Sequence, residues 1–209
     1  MPLIYQHNIN DSTKAAIWHI SETEAYFLER VPLKRDVSHP HKRLQHLAGR
    51  MLLPALFNDF PLEEILIADT RKPFLENETY HFSVSHCGDY AAAIASSKSR
   101  VGIDIELVTS KIERVKHKFL SAEELKFVIQ HKPVSEMLAM LTLLWSMKEA
   151  VFKWYGNGEV DFIKHLQVAP FVYNKEGGTA TLQFLKAPVQ PLSLHYRHLE
   201  NLILTWVVS

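Results

Sequence analysis

The chain has 209 residues, 47% hydrophobic and 22% charged, the make-up of a globular protein able to fill a core. Its 23 Lys and Arg balance 23 Asp and Glu, so general binding to nucleic acid or a membrane surface is not implied, and a charged ligand must meet a local patch. Cys87 is the single cysteine, which excludes an intrachain disulfide and a Cys-rich zinc site and fits a reducing compartment. Met1 to Asn10 lacks a basic stretch followed by a long apolar core, and the apolar run Leu138 to Trp145 is broken by Thr142. Neither a signal peptide nor a membrane span is expected, and the cytoplasm is the expected location.

Pro2 to Gln6 and Ala15 to Ile20 read as short strands and Glu22 to Arg30 as a short helix. Leu44, Leu47, Ala48, Met51 and Leu52 recur at helical spacing, which predicts a helix over Pro40 to Leu53 that Pro54 ends or kinks. Its other face carries Lys42, Arg43, His46 and Arg50, with Lys34 and Arg35 just upstream. That face is either plainly solvated or an anion-binding patch. Ile65 to Ala68 reads as a strand and Arg71-Lys72-Pro73 as a turn. Tyr80 to Ser85 and Tyr90 to Ala95 read as strands joined through Cys87-Gly88-Asp89.

Ser97 to Arg100 is the expected seam between two halves, 1–100 and 101–209. Beyond it, Val101 to Leu107 reads as a strand. Ser121 followed by Glu124 is a capping-box pattern that starts a helix. A long helix runs from about Ser135 to Tyr155 and stops at Gly156-Asn157-Gly158. Strands return at Leu166 to Ala169, Ala180 to Phe184, Leu192 to Tyr196 and Leu202 to Val208. Each half mixes strands with a long helix, which gives an α+β class.

Asp104 and Glu106 lie two apart on a strand and so share a face. They mark either a wet face or a paired-carboxylate site for Mg²⁺, which prefers oxygen ligands and keeps places for water and phosphate. The long helix is apolar at nearly every angle, so Lys148, Glu149 and Lys153 need partners. A Glu149–Lys153 ion pair at i, i+4 is the plain solution. Glu149 joining Asp104 and Glu106 is the functional one. His86 ends a strand before a glycine turn and is either a core histidine or a phosphate donor. Ser85 and His86 are adjacent on a strand and point to opposite faces, so they do not form a nucleophile pair. A nucleophile elbow, a Walker loop and a dinucleotide fingerprint are all missing from the sequence.

Five segments occur in order: Arg71-Lys72-Pro73-Phe74, Phe82-Ser83-Val84-Ser85-His86, Val101-Gly102-Ile103-Asp104-Ile105-Glu106, Phe119-Leu120-Ser121-Ala122-Glu123-Glu124, and Trp145 to Lys153. Together they resemble the 4′-phosphopantetheinyl transferases, in particular the monomeric surfactin-synthetase-activating type, from about Lys34 to Lys153. The resemblance implies a pseudo-dimer of two similar α/β halves with coenzyme A in the cleft between them. It also implies transfer of the phosphopantetheine arm to a serine of an apo acyl or peptidyl carrier protein, with release of adenosine 3′,5′-bisphosphate.

By the same resemblance the Mg²⁺ carboxylates are Asp104, Glu106 and Glu149, and Glu124 is an acid near them. Lys153, His86 and Ser85 hold phosphates, Lys72 and Pro73 pack by the adenine, and Lys34, Arg35 and Arg43 meet the 3′-phosphate. Glu149 is the implied base for the carrier serine, with Lys153 and His86 supplying positive charge or hydrogen bonds. Lys111, Arg114, Lys116 and Lys118 are either carrier contacts or a solvated basic face. Two rival functions are a metal-dependent phosphohydrolase of a nucleotide pyrophosphate and a non-catalytic carrier-binding module.

Overall fold

A computed structural model describes residues 2–33, 37–130 and 133–209. Both of its larger sheets are antiparallel. In the first, β1 (Leu3–Asn10), β2 (Thr13–His19), β6 (Tyr90–Ser96) and β5 (His81–Cys87) lie in the order β1-β2-β6-β5. In the second, β7 (Val101–Leu107), β11 (Leu202–Val208), β10 (Gln190–Leu199), β9 (Gly177–Phe184) and β8 (Leu166–Val168) lie in the order β7-β11-β10-β9-β8. A small hairpin pairs β3 (Leu66–Ile67) with β4 (Pro73–Phe74). Four α-helices are described: α1 (Glu24–Leu28), α2 (Pro40–Leu56), α3 (Ala122–Ile129) and α4 (Val134–Tyr155). None is long and apolar enough to cross a membrane.

Three apolar clusters tie these elements together. Leu47, Leu52, Leu53 and Leu56 of α2 cover one face of the first sheet, meeting Ala16, Trp18, Ala91, Ala93 and Phe82. Met140, Leu144, Met147 and Val151 of α4 cover one face of the second, meeting Leu182, Leu194 and Ile203. The inner faces meet each other: Ala15, Ile17, Ala92 and Ile94 pack on Val101, Ile103, Ile105, Leu204 and Trp206. The run Ala91-Ala92-Ala93-Ile94-Ala95 makes this layering possible. Alanine has little strand preference, but its small side chain lets β6 be buried on both faces.

Strand edges β5 and β7 run side by side at the junction. Ser83 Oγ accepts the Ile103 N–H at 3.2 Å, and Ser85 Oγ accepts the Ile105 N–H at 3.3 Å. Serine hydroxyls thus satisfy backbone donors that would otherwise be buried and unpaired.

Two local expectations change. Helix α2 passes through Pro54 to Leu56 instead of ending before it. Pro54 lies in the last turn, where it forfeits a single bond, and burial of Leu53 and Leu56 outweighs that. The basic face of α2 is not simply solvated: Lys42 is exposed, but Arg43, His46 and Arg50 are half-buried. The capping box at Ser121 forms as expected, and Gly156 stops α4 in the left-handed region at φ 74°.

Candidate active site

On β7, Val101, Ile103 and Ile105 enter the inter-sheet cluster, so Gly102, Asp104 and Glu106 turn toward α4. Gly102 permits a close approach there: an added Cβ would collide with the Ala150 carbonyl oxygen and lie 2.8 Å from Trp154 Cβ. The contact brings the last two turns of α4, with Glu149 and Lys153, over the acids.

Asp104 is 2% exposed, so it is not part of a wet strand face. Its Oδ1 accepts from Lys153 Nζ at 2.6 Å and from Ser85 Oγ at 2.8 Å, and Lys153 Nζ also donates to Ser85 Oγ at 2.7 Å. Lys153 therefore pairs with Asp104 rather than forming the i, i+4 pair with Glu149. The other oxygen, Asp104 Oδ2, is buried without a hydrogen-bond partner.

Glu106 Oε1 accepts from Trp145 Nε1 at 2.9 Å. Burial, then the charge of Asp104, push the Glu106 carboxyl up to about 7, against the pull of Trp145 and Lys153, with Glu149 adding a further push. Burial, then Asp104, likewise push Glu149 up to about 7, opposed by Lys153. The three carboxylates thus feel one another's fields. Among the described residues, however, no group of three or more His, Cys, Asp or Glu is gathered tightly enough to hold a metal ion.

His86 keeps an exposed edge. Desolvation of the ring and then the Lys153 charge lower its pKa, with Asp104 opposing and Lys42 adding to the fall. Its imidazole is held toward the neutral form, a donor and acceptor rather than a fixed cation.

Three spaces open around α4, two of them sharing Lys72 and Pro73. A cavity of about 200 Å³ is lined by Thr70, Lys72, Pro73, Phe82 and Lys153, and a second, of about 220 Å³, by Lys72, Pro73, Arg100 and Tyr155. Lys72 lies over Gly156 and donates to the Trp154 carbonyl at 3.1 Å, while Thr70 Oγ1 donates to the Gly156 carbonyl at 2.8 Å. The β3–β4 hairpin is thereby clasped to the end of α4. Desolvation and then the neighbouring Arg100 bring Lys72 down to about 8. The third, a wide groove of about 970 Å³, is lined by Val115, Lys118, Trp145, Glu149, Phe152 and Phe162.

The structure gathers Ser85, His86, Asp104, Glu106, Glu149, Lys153, Lys72 and Pro73 around the junction. Lys34 and Arg35 lie outside the described residues. Arg43 is not turned toward the junction: its guanidinium makes a bidentate pair with Glu24 at 2.7 and 2.8 Å and donates to the Val37 carbonyl at 2.7 Å. Glu124 is taken up elsewhere, by Lys148 Nζ and by the Ser121 and Val168 backbone N–H groups. Sequence reading missed Trp145 as the donor that fixes Glu106 and Arg100 as a cavity wall. A tryptophan on a greasy helix looks like core, and an arginine in a connecting loop looks like surface.

A model of the 4′-phosphopantetheinyl transferase superfamily matches residues 100–207, just over half of the chain. The transferase psf-1 of Bacillus pumilus is 31% identical over 118 residues, which cover 54% of this chain and 50% of that protein. The transferase AcpT of Escherichia coli O157:H7 is 30% identical over 128 residues, 59% of this chain and 64% of that one. L-Aminoadipate-semialdehyde dehydrogenase-phosphopantetheinyl transferase of Xenopus laevis is 31% identical over 130 residues, 54% of this chain and 43% of the relative. The aligned part thus spans about half to two thirds of these bacterial relatives, and less of the Xenopus one.

Proposed function

The chain belongs to the 4′-phosphopantetheinyl transferase superfamily, and from that premise we propose that it moves the 4′-phosphopantetheine arm of coenzyme A to a serine of an apo acyl or peptidyl carrier protein, with Mg²⁺, releasing adenosine 3′,5′-bisphosphate. The observation that carries the reading is the division of labour on one turn of α4. Lys153 lines the smaller cavity with Lys72 and Pro73, whereas Glu149 lines the wide groove. Donor and acceptor can then approach the Glu149–Lys153 turn of α4 from two sides.

In this reading the halves 1–100 and 101–209 form a pseudo-dimer of the surfactin-synthetase-activating type, acting as a monomer in the cytoplasm, and coenzyme A lies in the cleft between them. Lys72 and Pro73 flank the adenine. Ser85, His86 and Lys153 face the phosphates, where charge-assisted hydrogen bonds are strongest. Lys34, Arg35 and Arg43 would meet the 3′-phosphate, and Arg43 would have to exchange its Glu24 partner to do so. Glu149, on the acceptor side, takes the proton of the carrier serine. The serine oxygen attacks the β-phosphorus, and the bond from that phosphorus to the bridging oxygen breaks, leaving the adenosine bisphosphate with the oxygen. Lys118, exposed on the groove rim with Lys111 and Arg114 nearby, suits an acidic carrier.

The donor chemistry of the three carboxylates suits a hard dication, which would have to draw them closer together than they stand here. Asp104 Oδ2 is buried and unpartnered, and burial, then the charge of Asp104, raises Glu106 and Glu149. Mg²⁺ needs few protein ligands because it retains water and takes phosphate oxygens. Asp104, Glu106 and Glu149 would hold it, and when bound it would offset negative charge on the pyrophosphate.

The test is to incubate the protein with coenzyme A, Mg²⁺ and several apo carrier proteins and to weigh the carriers by mass spectrometry. A carrier gaining the mass of one phosphopantetheine supports transfer. Loss of coenzyme A without any carrier gain would instead support a pyrophosphohydrolase, and no change with any carrier would sink the transferase reading.

A further inference from the structure

Lys148 stands beside Glu149 in the chain but points elsewhere. Its side chain is 0% exposed, a placement that is costly for an ammonium unless every donor is met. Its three donors are all met. Nζ gives hydrogen bonds to the Phe119 carbonyl at 2.6 Å, the Phe162 carbonyl at 3.0 Å and Glu124 Oε2 at 2.7 Å. Glu124 is filled as well: Oε2 also takes the Ser121 N–H at 2.8 Å, and Oε1 takes the Val168 N–H at 2.9 Å. Nothing remains to offer a phosphate or a serine hydroxyl, so Lys148 does not touch the reacting atoms.

The two carbonyls it grips belong to residues whose rings face Trp145. Phe119 meets the indole edge-on at a centroid distance of 5.1 Å, and Phe162 lies against it at 5.5 Å. The indole N–H then fixes Glu106. A continuous path runs from a buried ammonium through two backbone carbonyls and two rings to the carboxylate. It also links the Phe119 and Phe162 segments, which border the groove beside Glu149.

We infer that Lys148 is a positioning residue that sets the aromatic pair around Trp145 and, through the indole, the placement of Glu106. Its relevance to transfer rests on the reading of Glu106 as an acid of the site, but the path itself does not. A direct readout is the indole ¹⁵N–¹H resonance of Trp145 in the full chain, assigned by its loss in W145F. E106A gives its position with the acceptor gone.

Lys148→Met combined with Glu124→Leu removes both buried charges, so neither is left unpaired. In that variant the Trp145 resonance should move toward its E106A position. The Mg²⁺ needed for half-maximal transfer should rise, by less than the about 10–100-fold that follows loss of a partner bonded directly to a metal-binding carboxylate. If that pair fails to fold, Lys148→Arg keeps the charge but cannot hold both carbonyls in the same geometry, and the same direction of shift is expected. An unmoved Trp145 resonance in a natively folded variant overturns the inference even if transfer proceeds. A moved resonance with no transfer by the wild-type chain supports the path and rejects the transferase reading instead.

Discussion

Lys153→Met probes the most tightly bonded group in the site. Asp104 is 3% exposed by side chain and Lys153 26%, with 2.6 Å between their charged atoms. Deleting the ammonium leaves a buried carboxylate held by Ser85 Oγ and the surrounding backbone. Removing one partner of a buried pair costs about 3–5 kcal/mol. Because Lys153 keeps about a quarter of its surface in water and Ser85 remains, the lower end, about 3 kcal/mol, applies. For a chain of this size that lowers Tm by about 6–12 °C, at about 2–4 °C per kcal/mol. Thermal unfolding followed by circular dichroism measures it. The double variant D104N/K153M should recover most of the loss, since neither charge is then stranded. Excess Mg²⁺ should raise Tm more in K153M than in the wild type, because the dication meets Asp104 without a competing ammonium. A K153M protein within about 0.5 kcal/mol of wild type, the range of ordinary surface changes, would refute the reasoning.

Glu149→Gln should abolish transfer while leaving Tm unchanged or raised, since burial and Asp104 already disfavour a carboxylate there; near-normal turnover in the carrier mass assay would contradict the assignment of the base. Gly102→Ala drives a methyl into backbone of α4 and should cost about 1–3 kcal/mol in urea unfolding, with loss of activity as Glu149 and Lys153 lift from β7. Ser85→Ala strips the acceptor from the buried Ile105 N–H and should cost about 1–3 kcal/mol, read from the same urea midpoints. For pH, Lys72 holds its proton less tightly folded, at about 8, than unfolded, near its ordinary value of 10.5. Between those values the unfolded chain binds more protons, so this residue's contribution to stability rises with pH. Stability curves for wild type and Lys72→Met should differ in slope only in that window, and parallel curves would contradict the shift.

How much was legible depends on the range of the interaction. Val101 to Leu107 and its two faces could be read from alternation alone, and the capping box at Ser121 from two residues. The helix from about Ser135 to Tyr155 was legible because its apolar residues are dense and Gly156 stops it. What alternation could not show is which partner each buried charge takes. Lys153 with Asp104, and Lys148 with Glu124, are separated by 49 and 24 positions, and nothing local marks one lysine as structural and the other as facing the site. The bond from Trp145 to Glu106 is hidden for the same reason. Arg43 is a case of the same kind: its helix face reads as either solvated or an anion patch, and the pairing with Glu24, 19 positions earlier, has no local mark in the sequence.

Helical geometry explains why one motif serves such different ends. Residues four apart on a helix differ by only about 40° in direction, so Glu149 and Lys153 turn the same way, toward β7. Lys148 lies about 100° from Glu149 and about 140° from Lys153, which carries it to the other flank, among Phe119, Glu124 and Phe162. A helix apolar at nearly every other angle thus accepts three charges because each meets a different surface. One lysine is used up in internal bonds, one acid faces a wide groove, and one lysine is paired to Asp104 beside a smaller cavity. Gly102 brings the helix close enough to the strand for the second and third of these to matter, so the glycine of the β7 motif and the charges of α4 act as one device.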